Sequence, residues 1–218
     1  GSFSFASEAW KHLRRNRPAL AGMIVIALAL FTALFAYWIA PDPTPQANRM
    51  MVEIAGKAPG FRMRFLMLDK QPAPAPAGSM ERTMHGISDK QVFIPVSSDP
   101  VRLGDSVVVQ RYLDEGVSER IAFPSDKAGE QVVERSFLLG TDKYGRDILS
   151  RLIVGTRVSL GVGTVAVLIS LLIGTSLGAW AGFRGGRTDA VISWFINVVW
   201  SIPTLLLVFA ITLVLGKG

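Results

Sequence analysis

Three long apolar blocks without a single charged residue constrain this chain more than any other feature of its sequence. They lie at residues 19–40, 158–183 and 190–216. The hydrocarbon core of a bilayer is about 30 Å thick and takes roughly 20 apolar residues as a helix, so each block is long enough to cross it. A soluble fold would have to bury three such helices completely. The blocks therefore predict an all-α membrane protein with three transmembrane helices.

The formal net charge of +6 raises the alternative of a nucleic-acid-binding protein, but the charge distribution argues against it. Residues 1–18 carry four basic and one acidic side chain, and residues 137–218 carry seven and three. Residues 41–136 carry twelve basic and thirteen acidic side chains. The basic excess thus flanks the apolar blocks, which is a pattern of membrane orientation rather than of a nucleic-acid groove.

The first apolar block is predicted to be an uncleaved transmembrane helix. Its length exceeds the about 7–15 apolar residues of a signal peptide. The basic segment 1–18 before it predicts a cytoplasmic N-terminus, because positively charged flanks stay inside. Residues 41–157 are then periplasmic, and residues 184–189 form a tight cytoplasmic turn between the second and third helices.

The predicted periplasmic segment changes character along its length. Residues 41–90 are rich in Pro and Ala, which predicts an extended connector. Residues 91–138 instead predict a small β-rich insertion, because short β-like runs alternate there with Pro, Gly and Asp. These runs are Gln91–Val96, Ser106–Tyr112, Arg120–Phe123 and Gln131–Leu138.

A charged, amphipathic segment at 139–157 leads into the second apolar block. We predict an interfacial helix here, capped by the hydroxyl of Thr141 and with Asp142 in its first turn. Asp147 and Arg151 stand four residues apart and are predicted to pair. From the residues alone, a generic amphipathic stalk before a membrane span is favoured over a functional segment.

The spacing of residues in this segment resembles a known family signature. Residues 139–159 are similar to the pattern LGTDxxGRDxxSRxxxGxRxS of the C-type permease of dipeptide and oligopeptide ABC importers. The matching positions are Leu139, Gly140, Thr141, Asp142, Gly145, Arg146, Asp147, Ser150, Arg151, Gly155, Arg157 and Ser159. The similarity covers roughly residues 8–45 and 137–218. Residues 46–136 are longer than the usual connector of the family.

The resemblance implies a permease subunit of an ATP-driven importer of peptides or similar small solutes, with a type I ABC importer-like fold in the bacterial inner membrane. It implies a second permease subunit, two ATPase subunits and a periplasmic solute-binding protein as partners, and no nucleic acid. The family's cytoplasmic coupling loop would follow the third helix beyond residue 218, so we expect the sequence to be the amino-terminal portion of a permease, as a fragment or as part of a split protein. The resemblance also singles out a set of family-motif and interfacial residues: Asp142, Gly145, Arg146, Asp147, Arg151 and Arg157.

Small residues recur every four positions in and before the second apolar block. Such ladders let helices approach closely in lipid, although glycine is also simply common in membrane helices. We predict helix packing at Gly155, Ser159, Gly163, Gly174, Gly178 and Gly182.

The third apolar block carries Ser193, Asn197 and Ser201 on one face, followed by Pro203. Proline removes a backbone donor and is expected to bend the helix. The four residues are predicted either to line a solute pathway or to make hydrogen bonds between helices.

The chain has no cysteine, no phosphate-binding loop and no recognisable catalytic or metal-binding motif. We therefore predict no catalytic residue, cofactor or metal, and ATP hydrolysis on separate subunits. The alternative function is a membrane-anchored periplasmic interaction module without transport activity.

Overall fold

The structure is a computed structural model that describes residues 10, 13–70, 78–124 and 128–216, with the backbone alone at 128–131. Lys11 and the Pro/Ala run at 71–77, on which two of the predictions rest, lie outside the described residues. The chain divides into two compact units, Gly1–Gly161 and Val162–Gly218.

The first apolar block forms α1 (Arg17–Leu34) and a short α2 (Ala36–Ile39), separated at Phe35. The side chain of Asn16 accepts a hydrogen bond from the Ala19 amide at 3.3 Å and so caps the start of α1. None of the residues of α1 is buried. An apolar helix without buried residues has the composition and exposure of a lipid-facing segment.

The segment after α2 leads into a six-stranded antiparallel sheet. Its order is β3-β4-β2-β1-β6, and β5 pairs with β4. A short helix, α3 (Ser79–His85), lies between the first two strands. The strands are β1 (Phe61–Asp69), β2 (Gln91–Val96), β3 (Val101–Leu103), β4 (Ser106–Asp114), β5 (Val117–Pro124) and β6 (Ala128–Phe137).

Both faces of the sheet are covered near its centre. Neighbouring side chains of β1 point to opposite faces, and two of them, Phe65 and Leu66, are both buried. Phe65 is completely buried on one face, where it packs in one cluster with Met51, Ile54 and Phe137. Leu66 is equally buried on the other face, among valines of the neighbouring strands. The segment that follows α2 is thus part of the core of the sheet.

The remaining helices contain the second and third apolar blocks. They are α4 (Ile148–Arg184), α5 (Gly186–Ser201) and α6 (Thr204–Leu215). Gly185 lies between α4 and α5, and it and Gly186, the first residue of α5, both have positive φ. α5 and α6 meet at an 82° bend at Ile202 and Pro203, where a bend was predicted.

In the described part of the chain, α1 and α4 are each long and apolar enough to cross a membrane. The α5–α6 pair adds a third crossing only if the two bent helices count as one. The three predicted transmembrane helices therefore remain a prediction.

The sequence prediction underestimates the sheet. All four predicted β-like runs are strands, but β1 lies within residues 41–90, which were expected to form an extended connector. The reason is visible in Phe61–Leu68, where arginines alternate with large apolar residues before the chain becomes rich in Pro and Ala. The chain therefore combines apolar helices with a six-stranded sheet that is larger than the β-rich insertion predicted at residues 91–138, so the fold is not clearly all-α.

Candidate functional site

The first part of the family-like segment is a compact loop rather than a helix. Thr141 and Asp147 form an isolated β-bridge, and the Gly145 amide donates to the Asp142 carbonyl at 2.9 Å. α4 begins only at Ile148. The predicted helix start at Thr141 is therefore wrong.

The side chain of Asp142 holds this loop closed. Its carboxylate accepts hydrogen bonds from the backbone amides of Tyr144 at 2.9 Å and Arg146 at 3.0 Å, and from Arg146 Nε at 2.8 Å. Burial opposes ionisation of this carboxyl, but the hydrogen bonds from Arg146 and Tyr144 prevail and hold the pKa of Asp142 below its ordinary value. Arg146 also reaches Asn48 Oδ1 at 3.0 Å, so the loop is tied to the segment after α2.

Asp147 caps α4 in place of Thr141. Its Oδ2 accepts from the Ser150 amide at 2.9 Å and from the Ser150 hydroxyl. The predicted Asp147–Arg151 pair is not formed, because the Asp147 carboxylate is directed to the helix start. Arg151 instead has its Nη1 3.9 Å from Asp142 Oδ2.

Ser150 links the start of α4 to the end of the first apolar segment. Its Oγ accepts a hydrogen bond from the Asp42 amide at 2.8 Å. Ser150 is completely buried, and Asp42 and Asp147 are exposed by only 3% and 6%. A hydrogen bond between neutral groups contributes about 0.5–1.5 kcal/mol, and this buried one joins two segments that lie 108 residues apart in sequence.

Asp42 organises the turn in which it lies. Its Oδ1 accepts from the Thr44 amide at 3.1 Å, and its Oδ2 accepts from the Arg49 amide at 3.1 Å. The Arg49 guanidinium lies 3.6 Å from Asp42 and makes a bidentate pair with Asp89. The polar network therefore extends from the start of α4 to Asp89, which lies just before the strand β2.

The other side of the loop is fastened to residues 51–57. The Thr141 hydroxyl accepts from the Lys57 amide at 2.9 Å and donates to the Ile54 carbonyl. The Met51 amide donates to the Tyr144 carbonyl at 3.2 Å. Lys57 also pairs with Glu115 of the β4–β5 turn at 2.8 Å, and this hydrogen bond raises the pKa of Lys57.

Two glycines permit the close approach of these backbones. Gly140 and Gly145 have φ values of +75° and +72°. A Cβ on Gly145 would lie 1.7 Å from the Met51 carbonyl oxygen, and one on Gly140 would lie 2.3 Å from the Lys57 carbonyl oxygen. No side chain fits at either position, which explains both glycines of the motif.

Arg157 lies three turns into α4 and contacts the end of the first apolar segment. Its guanidinium donates to the Thr83 carbonyl and stands 5.5 Å from the ring centre of Tyr37. Tyr37 and Val154 belong to one buried cluster. We call the whole arrangement, from Asp42 through residues 139–150 to Arg157, the clamp.

The structure brings together the predicted motif residues Asp142, Gly145, Arg146, Asp147, Arg151 and Arg157. The packing glycines at 155, 163, 174, 178 and 182 have no described atom within 4 Å of an added Cβ. Ser193, Asn197, Ser201 and Pro203 are all exposed. Helix packing and a solute pathway at these positions remain predictions.

Sequence reasoning missed the partners of the motif: Asp42, Asn48, Arg49, Lys57 and Asp89. The only available signal was Asp42 itself, which stands between two prolines directly after an apolar block. In the described residues, no group of three or more His, Asp or Glu side chains is arranged to hold a metal ion.

Residues 4–59 match the family described as the N-terminal TM domain of oligopeptide transport permease C. The match covers α1, α2 and the part of the clamp that contains Asp42 and Arg49. By this match and by the motif at 139–159, the chain is similar to the amino-terminal portion of the C-type permeases of peptide transport systems.

Individual permeases show how far the similarity extends. The dipeptide transport system permease protein DppC of Lactococcus lactis is 29% identical over 218 residues, which is 100% of this chain and 52% of that protein. The di/tripeptide transport system permease protein DppC of Pseudomonas aeruginosa is 31% identical over 212 residues, which is 97% of this chain and 46% of that protein. These two alignments include the region of the sheet.

Other relatives match a shorter stretch. The oligopeptide transport system permease protein OppC of Bacillus subtilis is 46% identical over 79 residues, covering 36% of this chain and 26% of that protein. The chain spans about half the length of the relatives that it matches from end to end. No solved structure matches it significantly.

Proposed function

We propose that this chain is the amino-terminal portion of a permease subunit in an ATP-driven importer of peptides or similar small solutes. The observation that carries the proposal is the clamp. Residues of the family motif hold the start of the apolar helix α4 against the end of the α1–α2 segment. The clamp occurs in a chain similar to peptide permeases over its whole length.

The proposal includes the partners and the orientation of such an importer. The importer contains, besides this chain, a second permease subunit, two ATPase subunits and a periplasmic solute-binding protein. ATP hydrolysis takes place on the ATPase subunits. The N-terminus is cytoplasmic, residues 41–157 are periplasmic and the membrane is the bacterial inner membrane. The exposed glycine positions of α4 are contact sites for further helices, because apolar interfaces in lipid depend on small residues.

Transport is tested with the full gene product and its neighbouring subunits reconstituted in proteoliposomes. ATP hydrolysis is measured with the solute-binding protein in peptide-loaded and unloaded form. We expect the loaded form to stimulate hydrolysis and to drive peptide uptake. Equal hydrolysis with loaded and unloaded binding protein, for a broad set of peptides, would rule out peptide transport.

The alternative is a membrane-anchored periplasmic interaction module, and the exposed sheet is what favours it. The sheet starts and ends at paired residues, since Phe61 lies opposite Phe137 in adjacent strands. A short linker from Gly60 to Leu138 removes the sheet, including the partners of Met51 and Ile54 in its core, and keeps the hydrogen bonds between residues 41–57 and 139–150. If peptide uptake survives this excision, transport is a function of the helices. If the chain is an interaction module, the excision should abolish binding of its partner.

A further inference from the structure

A cavity of about 570 Å³ lies beside the residues that follow α2. α3, the start of β2 and the strand β6 contribute to its wall. Its charged and aromatic lining consists of Arg49, Arg82, Asp89, Lys90, Phe93 and Arg135.

The lining has a strong excess of positive charge. Four of its side chains are cationic and one, Asp89, is a carboxylate. That carboxylate is already engaged by Arg49 in a bidentate pair. Among the described residues, no carboxylate lies within 4.0 Å of the charged groups of Arg82, Lys90 or Arg135.

Two guanidinium groups are held against one aromatic ring. Arg49 and Arg135 lie 4.3 Å and 4.5 Å from the ring centre of Phe93. Burial, and then the positive charge of Arg49, lower the pKa of Arg135, while the carboxylates of Asp89, Asp42 and Asp147 act in the opposite direction. The lowering prevails, so these carboxylates do not fully compensate the cost of the partly buried positive charge of Arg135.

Arg135 donates to the Pro41 carbonyl at 3.5 Å, whereas Arg82 lacks an acceptor for one of its donors in the described part of the chain. Its guanidinium stacks over the Trp38 ring at 4.0 Å. Its Nε is buried and has no hydrogen-bond partner among the described residues. A buried donor without an acceptor costs about 1–3 kcal/mol, and an oxyanion in the cavity would satisfy it.

The cavity lies at the boundary of the apolar segments. Ala40 and Pro41, which directly follow the first apolar block, line it. Arg157, the last residue before the second block, contacts Thr83 of α3. Both blocks thus reach their ends at the level of α3, where the half-exposed Trp38 has the position that tryptophan favours at a membrane interface.

We propose that this cavity binds the phosphate group of an anionic phospholipid. Arginine is suited to phosphate because its planar guanidinium donates two parallel hydrogen bonds. A basic side chain near an anionic membrane surface contributes about 1 kcal/mol to binding, and three cations without a carboxylate partner converge here. The inference goes beyond peptide transport and does not depend on the solute.

The test uses the purified 218-residue chain in detergent. Phosphatidylglycerol and phosphatidylcholine are added in equal amounts, and retained lipid is counted by native mass spectrometry. The test variant is the double substitution Arg82→Gln and Arg135→Gln. The matched control is Arg62→Gln with Arg120→Gln, which removes the same charge from exposed positions of the sheet. A parallel arm adds inorganic phosphate as the only anion.

We expect the unaltered chain and the control to retain phosphatidylglycerol in preference to phosphatidylcholine. The test variant should lose this preference by roughly tenfold or more. An equal loss in test and control variants would overturn the proposal, as would binding of inorganic phosphate without retention of phosphatidylglycerol. Substitution of the same two arginines by lysine keeps the charge and should keep part of the preference, which separates lipid binding from misfolding.

Discussion

Gly145 is the residue at which the clamp leaves least space. Its Cβ would meet the Met51 carbonyl oxygen at 1.7 Å, whereas Gly116, with a similar φ of +78°, has no atom within 4 Å of an added Cβ. Positive φ costs a non-glycine residue about 1–2 kcal/mol, and overpacking adds roughly 1–3 kcal/mol. Gly145→Ala should therefore lower the free energy of unfolding by about 2–5 kcal/mol and Gly116→Ala by about 1–2 kcal/mol.

Denaturant unfolding in detergent, followed by circular dichroism, compares the two alanine variants. The pair isolates the steric contact, because the backbone conformation is nearly the same at both glycines. Equal destabilisation by the two substitutions would show that residues 51 and 145 do not approach as described.

Asp142 makes stability depend on pH. Its pKa in the folded chain is below the ordinary value of 3.8, so its contribution is complete above that value and is lost as pH falls through the folded pKa. Arg146→Gln removes a main cause of the shift and should flatten this acid dependence. Arg151→Gln, at 3.9 Å from the carboxylate and more exposed, should leave it nearly unchanged.

The measurement is the denaturant midpoint of each variant between about pH 2 and pH 6. Parallel pH profiles for the unaltered chain and Arg146→Gln would contradict the assigned role of Arg146.

The residue pattern singled out positions in 139–159 but did not predict the contacts that they make. Helix capping rules apply to Thr141 and to Asp147 alike, and the choice depends on Ser150 and Asp42. Asp42 lies 108 residues away from Ser150. The spacing of neighbouring residues carries no information about a contact between residues so far apart in sequence, so the loop and its partners could not be predicted from it.

At the scale of elements, the bend between α5 and α6 depends on Pro203. The proline has no amide hydrogen and therefore interrupts the helical hydrogen bonds at this point. Pro203→Ala should shift the pair toward one continuous helix. Spin labels at Val191→Cys and Leu213→Cys, both exposed, would then move from about 25 Å apart to about 33 Å.

Pulsed electron paramagnetic resonance gives this distance directly, because the chain contains no cysteine of its own. Thr204→Ala is the matched control and should keep the shorter distance. An unchanged distance in Pro203→Ala would assign the bend to the surrounding apolar residues.

Elements with a strong period were predictable and those with mixed signals were not. β2 was predicted with its observed ends, Gln91 and Val96. β1 was missed because the neighbouring Pro and Ala dominated the composition of residues 41–90. The long helix α4 joins two segments that the sequence separates by hydropathy, since a helix continues from an interfacial into an apolar environment without any change in its backbone.

At the scale of the whole molecule, the charge distribution predicts which surfaces share a side of the membrane. Two single cysteine variants test this orientation. Ser118 lies on the exposed strand β5 and Arg187 at the exposed start of α5, and each is replaced by cysteine. A membrane-impermeant maleimide should label Ser118→Cys in intact spheroplasts, but Arg187→Cys only after permeabilisation. Labelling of both, or of Arg187→Cys alone, would contradict the proposed orientation.

The link from Asp42 to Ser150 also has a mechanical consequence. The end of α1–α2 and the first turns of α4 share a buried hydrogen bond and one apolar cluster. We therefore expect the two segments to tilt together as one rigid body. Along the chain, the next interruptions of the helical backbone lie at Gly185 and at Pro203.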